Sequence, residues 1–93
     1  MIRSFADRDS ERLWSGDAGR KWSPEIARRA LQKLRLIDAA ARLEDLRIPP
    51  GNRLEALKGD RKGFHSIRIN DQWRVCFRWI DGGAFDVEVT DYH

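Results

Sequence analysis

The last three residues, Asp91-Tyr92-His93, carry the densest chemistry in the chain. A carboxylate, an aromatic ring and an imidazole at the end of a strand can transfer protons and stack on a base. The same string also fits a polar C-terminus that frays into solvent, and residue types alone leave both readings open. As the final residue here, His93 carries an α-carboxylate, which favours the imidazolium and suits an acid role. The second histidine, His65, alternates with Ile67 and Ile69, so it reads as a packed or edge side chain. Cys76 is the single cysteine, which excludes an internal disulfide and any Cys/His metal cluster. No phosphate-binding glycine loop and no nucleophile elbow occurs, so neither a cofactor nor a metal is expected.

The elements that must position these groups follow from patterning. Ninety-three residues suffice for one small domain spanning 1–93. Ile2–Phe5 reads as a short strand, and Asp7 or Asp9 caps a helix that runs to about Ser15 and stops at Gly16. Ser23, Pro24 and Glu25 form a helix start. Ile26, Ala30, Leu34, Ile37 and Ala41 then recur at helical spacing and predict a helix to about Leu43. Arg29 and Lys33 stand outside that stripe, as a solvated basic side or a surface for RNA. Trp14 and Trp22 read as core.

Pro49-Pro50-Gly51-Asn52 breaks the helical pattern, and the period changes to two. Strands are predicted over Leu54–Lys58 and Phe64–Ile69, with a charged loop at Gly59–Gly63 between them. Trp73, Val75, Phe77 and Trp79 alternate with polar neighbours, Asp81-Gly82-Gly83 makes a hairpin, and Phe85, Val87 and Val89 continue the apolar face. The opposite face carries Arg74 and Arg78 across from Asp86 and Glu88. The fold class is α+β: two N-terminal helices packed on a curved, antiparallel-dominated sheet.

Charge adds direction. The net charge is +3 and the pI about 9.5, which suits a polyanionic partner. Residues 20–74 hold fourteen basic and seven acidic side chains, whereas residues 75–93 hold one basic and four acidic. The positive charge therefore gathers on the central helix and first strands, mostly as arginine, the better bidentate phosphate ligand. No stretch is apolar enough to act as a signal peptide or membrane span, so a reducing cytoplasm is the expected location.

Three strings carry a family resemblance. Leu54-Glu55-Ala56-Leu57-Lys58-Gly59-Asp60-Arg61 resembles the Leu-x-x-Leu-Lys-Gly-Asp-Arg segment of the HigB branch of RelE-type toxins. Ser66-Ile67-Arg68-Ile69-Asn70 followed by Gln72-Trp73-Arg74-Val75-Cys76-Phe77 is similar to the Ser-Ile-x-x-Asn-x-x-Trp-Arg-x-x-Phe core of that branch, and Asp91-Tyr92-His93 to its ending. The resemblance implies the RelE-like microbial RNase toxin fold and a ribosome-dependent, metal-independent endoribonuclease that cuts messenger RNA in the A site.

Carried over residue by residue, it makes Lys58 and Arg74 phosphate ligands, Tyr92 a stacking group, and Asp91 and His93 the groups that orient and transfer protons. Where family members carry a histidine, this chain has Glu55, either a general base or a carboxylate paired with Lys58. The implied partners are a HigA-type helix-turn-helix antitoxin, the ribosome and mRNA, with operator DNA reached only through the antitoxin. Two alternatives stay open at this point. One is a gyrase-poisoning toxin of the same fold. The other is a catalytically weak toxin that serves its antitoxin as co-repressor.

Overall fold

The computed structural model describes residues 1–91, and two helices precede a four-stranded antiparallel sheet of order β1-β2-β3-β4. Helix α1 (Arg8–Trp14) begins where the Asp7 side chain accepts the Ser10 N–H. Gly16, in left-handed backbone at φ 94°, lies just past its end. Helix α2 (Pro24–Ala39) begins where Ser23 Oγ accepts the Ile26 N–H at 3.2 Å, with Pro24 in its first turn as predicted.

The α2 stripe holds at Ala30, Leu34 and Ile37, all fully buried. The helix nonetheless stops four residues short of the predicted end. Asp45 Oδ2 accepts both the Ala41 and Arg42 N–H groups at 3.0 Å. Those amides thus have a side-chain partner in place of a helical carbonyl. Ala40 turns extended and takes the buried place expected of Ala41, which is exposed. Short 3₁₀ turns at Leu43–Arg47 and Pro50–Asn52 lead into the sheet.

Strand β1 (Glu55–Ala56) is shorter than predicted. Arg53 stands in the left-handed region two residues before it (φ 46°, ψ 56°), and Lys58 opens a 3₁₀ turn at Gly59–Arg61 two residues after it. β2 (Phe64–Arg68), β3 (Trp73–Ile80) and β4 (Gly83–Asp91) form the body of the sheet. One face, built on Ile67, Val75, Phe77, Val87 and Val89, closes over α2. Each such side chain contributes about 1.5–3 kcal/mol by leaving water. Trp22 is buried and meets Trp73 edge-on at 6.1 Å, while Trp14 packs at the margin of the core. Trp22 is therefore a core residue, and Trp14 packs against the core from its edge.

Phe85 departs from the expected alternation. Asp86 sits at φ 53° and creates a bulge, so two residues of β4 stand across from Phe77. Beyond it the register slips by one, and Ala84, opposite Trp79, enters the core. Phe85 instead pairs with Arg78 and lies outside the core cluster. The bulge also breaks up the predicted first strand. Ile2 and Phe5 make two isolated parallel bridges, to Ala84 and Val87, and Ser4 Oγ takes the Asp86 N–H between them at 2.9 Å.

Candidate functional site

The face of the sheet turned away from α2 is ruled by cross-strand rows. Arg68, Arg74 and Thr90 make one row, and Ser66, Cys76 and Glu88 the next, extended by Glu55 at the β1 edge. Arg74 is the fixed point of this face. Only 9% of it is exposed. Its Nε donates to Ser66 Oγ at 2.8 Å, and its Nη2 donates to the Arg53 carbonyl at 2.8 Å and the Ser66 carbonyl at 3.4 Å. Glu55 Oε1 lies 3.4 Å from the same nitrogen. The guanidinium is thus held by neutral oxygens, with the Glu55 carboxylate at its side. A cation so fixed can stabilise charge developing on a phosphate without first reorganising.

The other expected site residues differ in placement. Glu55 joins Arg74 with its side chain half exposed; of its two expected roles, base or partner of Lys58, the ion pair it makes is with Arg74. The arginine fork reaches it from the adjacent row. Lys58 is exposed and follows β1 at the head of the Gly59–Arg61 turn. Asp91 ends β4 across from Trp73, one register position off the Arg74 row, and its Oδ2 accepts from Gln72 Nε2 at 3.0 Å. Tyr92 and His93 lie outside the described residues. His65 faces the core side and stacks on Phe77 at 6.3 Å and 27°, as the alternation implied. A cavity of about 150 Å³ opens beside it, between Leu43, Arg47, Leu54 and Glu55.

The expected pairing of Arg74 and Arg78 with Asp86 and Glu88 holds for one pair. Arg78 Nε lies 3.0 Å from Asp86 Oδ2 but out of hydrogen-bonding alignment, while Arg74 stands across from Thr90. Glu88 pairs with Arg61 at 3.1 Å. Cys76 lies buried beneath these charges, and burial pushes its thiol pKa up. That makes it a poor nucleophile.

Sequence reasoning gave no role to the residues that hold Arg74. Ser66 stood inside the resembling string, and its register parity with Arg68 was the available signal. Asn52 was read only as part of a turn. It is fully buried, its Nδ2 donates to the Leu46 carbonyl at 3.1 Å, and its Oδ1 accepts from Lys33 Nζ at 2.6 Å. Its neighbour Arg53 supplies the carbonyl that receives Arg74. Lys33 is accordingly tied to the site's support and is not a solvated cation.

A pH dependence follows. Burial first, then the charges of Arg29 and Arg68, push the Lys33 ammonium below the ordinary lysine value of 10.5. A folded pKa below the unfolded one means that the unfolded chain binds the extra proton in between, so stability rises with pH through that window. Urea midpoints of the native protein should therefore rise relative to those of Lys33→Met as pH approaches 10.5. Parallel profiles would contradict the burial argument.

Comparison with solved structures recovers this architecture. The YoeB–YefM complex from Staphylococcus aureus contains a chain that superposes at a TM-score of 0.63 with 19% identity, covering 100% of this chain and 98% of that one. YafQ from E. coli superposes at 0.59 with 11% identity, over 98% and 93%. At such identities the likeness concerns the fold, an α+β fold that those proteins share.

Sequence comparison goes further. The family model described as the RelE-like toxin of the type II toxin–antitoxin system HigB matches residues 3–93. Toxin HigB-1 of Vibrio cholerae is 44% identical over 87 residues, 92% of each chain. Endoribonuclease HigB of Proteus vulgaris is 32% identical over the full length of both. The chain belongs to the HigB-like family of RelE-type toxins, and its place in such a two-component system gives it an antitoxin as partner. Among the described residues, no helix is long and apolar enough to cross a membrane.

Proposed function

We propose that this protein is a ribosome-dependent endoribonuclease that cuts messenger RNA in the A site and thereby halts translation and growth. Residues 1–93 act as one toxin domain in the bacterial cytoplasm. The observation that carries the reading is the buried Arg74, held by Ser66 and the Arg53 carbonyl beside the half-exposed Glu55. Its setting is a family one of whose members bears the name endoribonuclease.

The chemistry uses side chains alone. Glu55 accepts the proton of a 2′-hydroxyl, and that oxygen attacks the adjacent phosphorus. Arg74 and Lys58 stabilise the pentacovalent charge. The bond from phosphorus to the 5′-oxygen breaks, and His93 protonates the departing oxygen, oriented by Asp91. A 2′,3′-cyclic phosphate and a 5′-hydroxyl result. Tyr92 stacks on a base next to the cut. The antitoxin is of the HigA helix-turn-helix type and carries any contact with operator DNA.

The test maps mRNA ends in a reconstituted translation reaction, with and without ribosomes, for the native protein, Lys58→Ala and a form lacking His93. The expected result is cuts in the native lane that require ribosomes and are lost in both variants. Unimpaired translation with no cuts in the native lane would overturn the proposal.

A further inference from the structure

Phe64 and Phe85 are two aromatic side chains that the core does not use. Neither belongs to the buried cluster or to the partly buried residues packed against it. The register sets them on either side of Arg78, in one row that crosses β2, β3 and β4. Arg78 carries its guanidinium 6.0 Å from the Phe64 ring centre, and Arg61 approaches the same ring at 5.4 Å. A single half-exposed phenylalanine would mean little. Two of them in one cross-strand row with an arginine between them, on the same face as Arg74, put an aromatic ring on each side of a guanidinium-bearing strand.

The charges of this row are already engaged. Arg61 pairs with Glu88 at 3.1 Å and Arg78 with Asp86 at 3.0 Å. Both pairs are partly exposed, so they add little to stability. They do tether the two guanidinium groups near the Phe64 ring. Cations neutralised in this way are poor phosphate ligands, but their flat faces and the phenyl rings remain suited to stacking. The arrangement exists because of the bulge at Asp86, since strict alternation would have buried Phe85.

The row is also close to the proposed chemistry. The Arg74 guanidinium reaches forward along β3 to Ser66, whose row adjoins that of Arg78. One row is two residues of strand, roughly 7 Å. A strand of RNA whose phosphate lies on Arg74 can therefore lay a neighbouring base on the Phe64–Arg78–Phe85 row.

We infer that Phe64, Arg78 and Phe85 form a base-stacking platform for single-stranded RNA flanking the cut. The inference rests on the nuclease reading for its cleavage assay but is testable without it. Stacking is sequence-tolerant, because every base has a π-face.

The first experiment titrates the full-length protein with a 2′-O-methyl hexaadenylate, which cannot be cleaved, and follows the ring protons of Phe64 and Phe85 by NMR. Upfield shifts of both rings are expected. Phe64→Leu and Phe85→Leu should each weaken binding about 5- to 100-fold, whereas Phe64→Tyr and Phe85→Tyr should restore it. The slope of log affinity against log salt should not change in the Leu variants, because no phosphate contact is lost. Thermal unfolding of each variant separates a folding defect from a binding defect.

Silent rings would overturn the platform even if the native protein cuts mRNA. So would rings that respond only to the cognate antitoxin, because that would make the row a protein interface. Shifted rings in a protein that cuts nothing would retain the platform and remove the nuclease reading.

Discussion

An Arg74→Lys variant is expected to cut mRNA on programmed ribosomes about 10²- to 10³-fold more slowly than the native protein. The positive charge is kept, so the loss measures geometry. The arginine places Nε on Ser66 Oγ while Nη2 spans the Arg53 and Ser66 carbonyls. A lysine ammonium is a point charge on a flexible stem and cannot reproduce that planar fork. It would settle nearer Glu55 Oε1, now 3.4 Å from Nη2, and draw the carboxylate away from a 2′-hydroxyl. Single-turnover cleavage at saturating toxin isolates the rate from ribosome binding. Ser66→Ala should give a smaller loss, because it removes one acceptor and leaves the carbonyls in place. A folded Arg74→Lys protein that cuts at the native rate would remove Arg74 from the catalytic set.

The local part of this structure was legible in the sequence because its causes are local. Ser23-Pro24-Glu25 starts α2 by its own hydrogen bond, and the stripe through Ala30, Leu34 and Ile37 states which face is buried. Alternation from Trp73 to Trp79 fixed the core face of β3 for the same reason. Three features were not legible, and each depends on a contact distant in sequence or on one residue's backbone. Asp86 adopts a left-handed conformation that aspartate tolerates but does not announce, and that one residue moves Phe85 to the other face. Asp45 ends α2 by capturing amides that precede it. Glu55 could be read as a base or as a partner of Lys58. Its pairing with Arg74 depends on how β1 meets β2 and β2 meets β3, which no spacing within one strand encodes.

The same long-range logic makes Asn52 the position where a single substitution should damage stability most. Its amide is fully buried and joins three elements: it donates to the Leu46 and Ile48 carbonyls at 3.1 and 3.4 Å and receives Lys33 of α2 at 2.6 Å. Asn52→Leu is close in size, so a cavity contributes little. The cost is the loss of partners for two carbonyls and an ammonium, together about 2–5 kcal/mol. Against a total of about 5–15 kcal/mol for a domain of this kind, that is a large fraction. Urea unfolding should register it as a lower midpoint at unchanged slope. In a Lys33→Met background the same change should cost less, because one of the stranded groups is already gone. The carbonyl of Arg53, next in the chain, receives Arg74, so loosening this turn also releases the guanidinium. Cleavage by the still-folded fraction should then fall as well. A midpoint within the error of the native one would mean that the Leu46–Asn52 turn is held by packing alone.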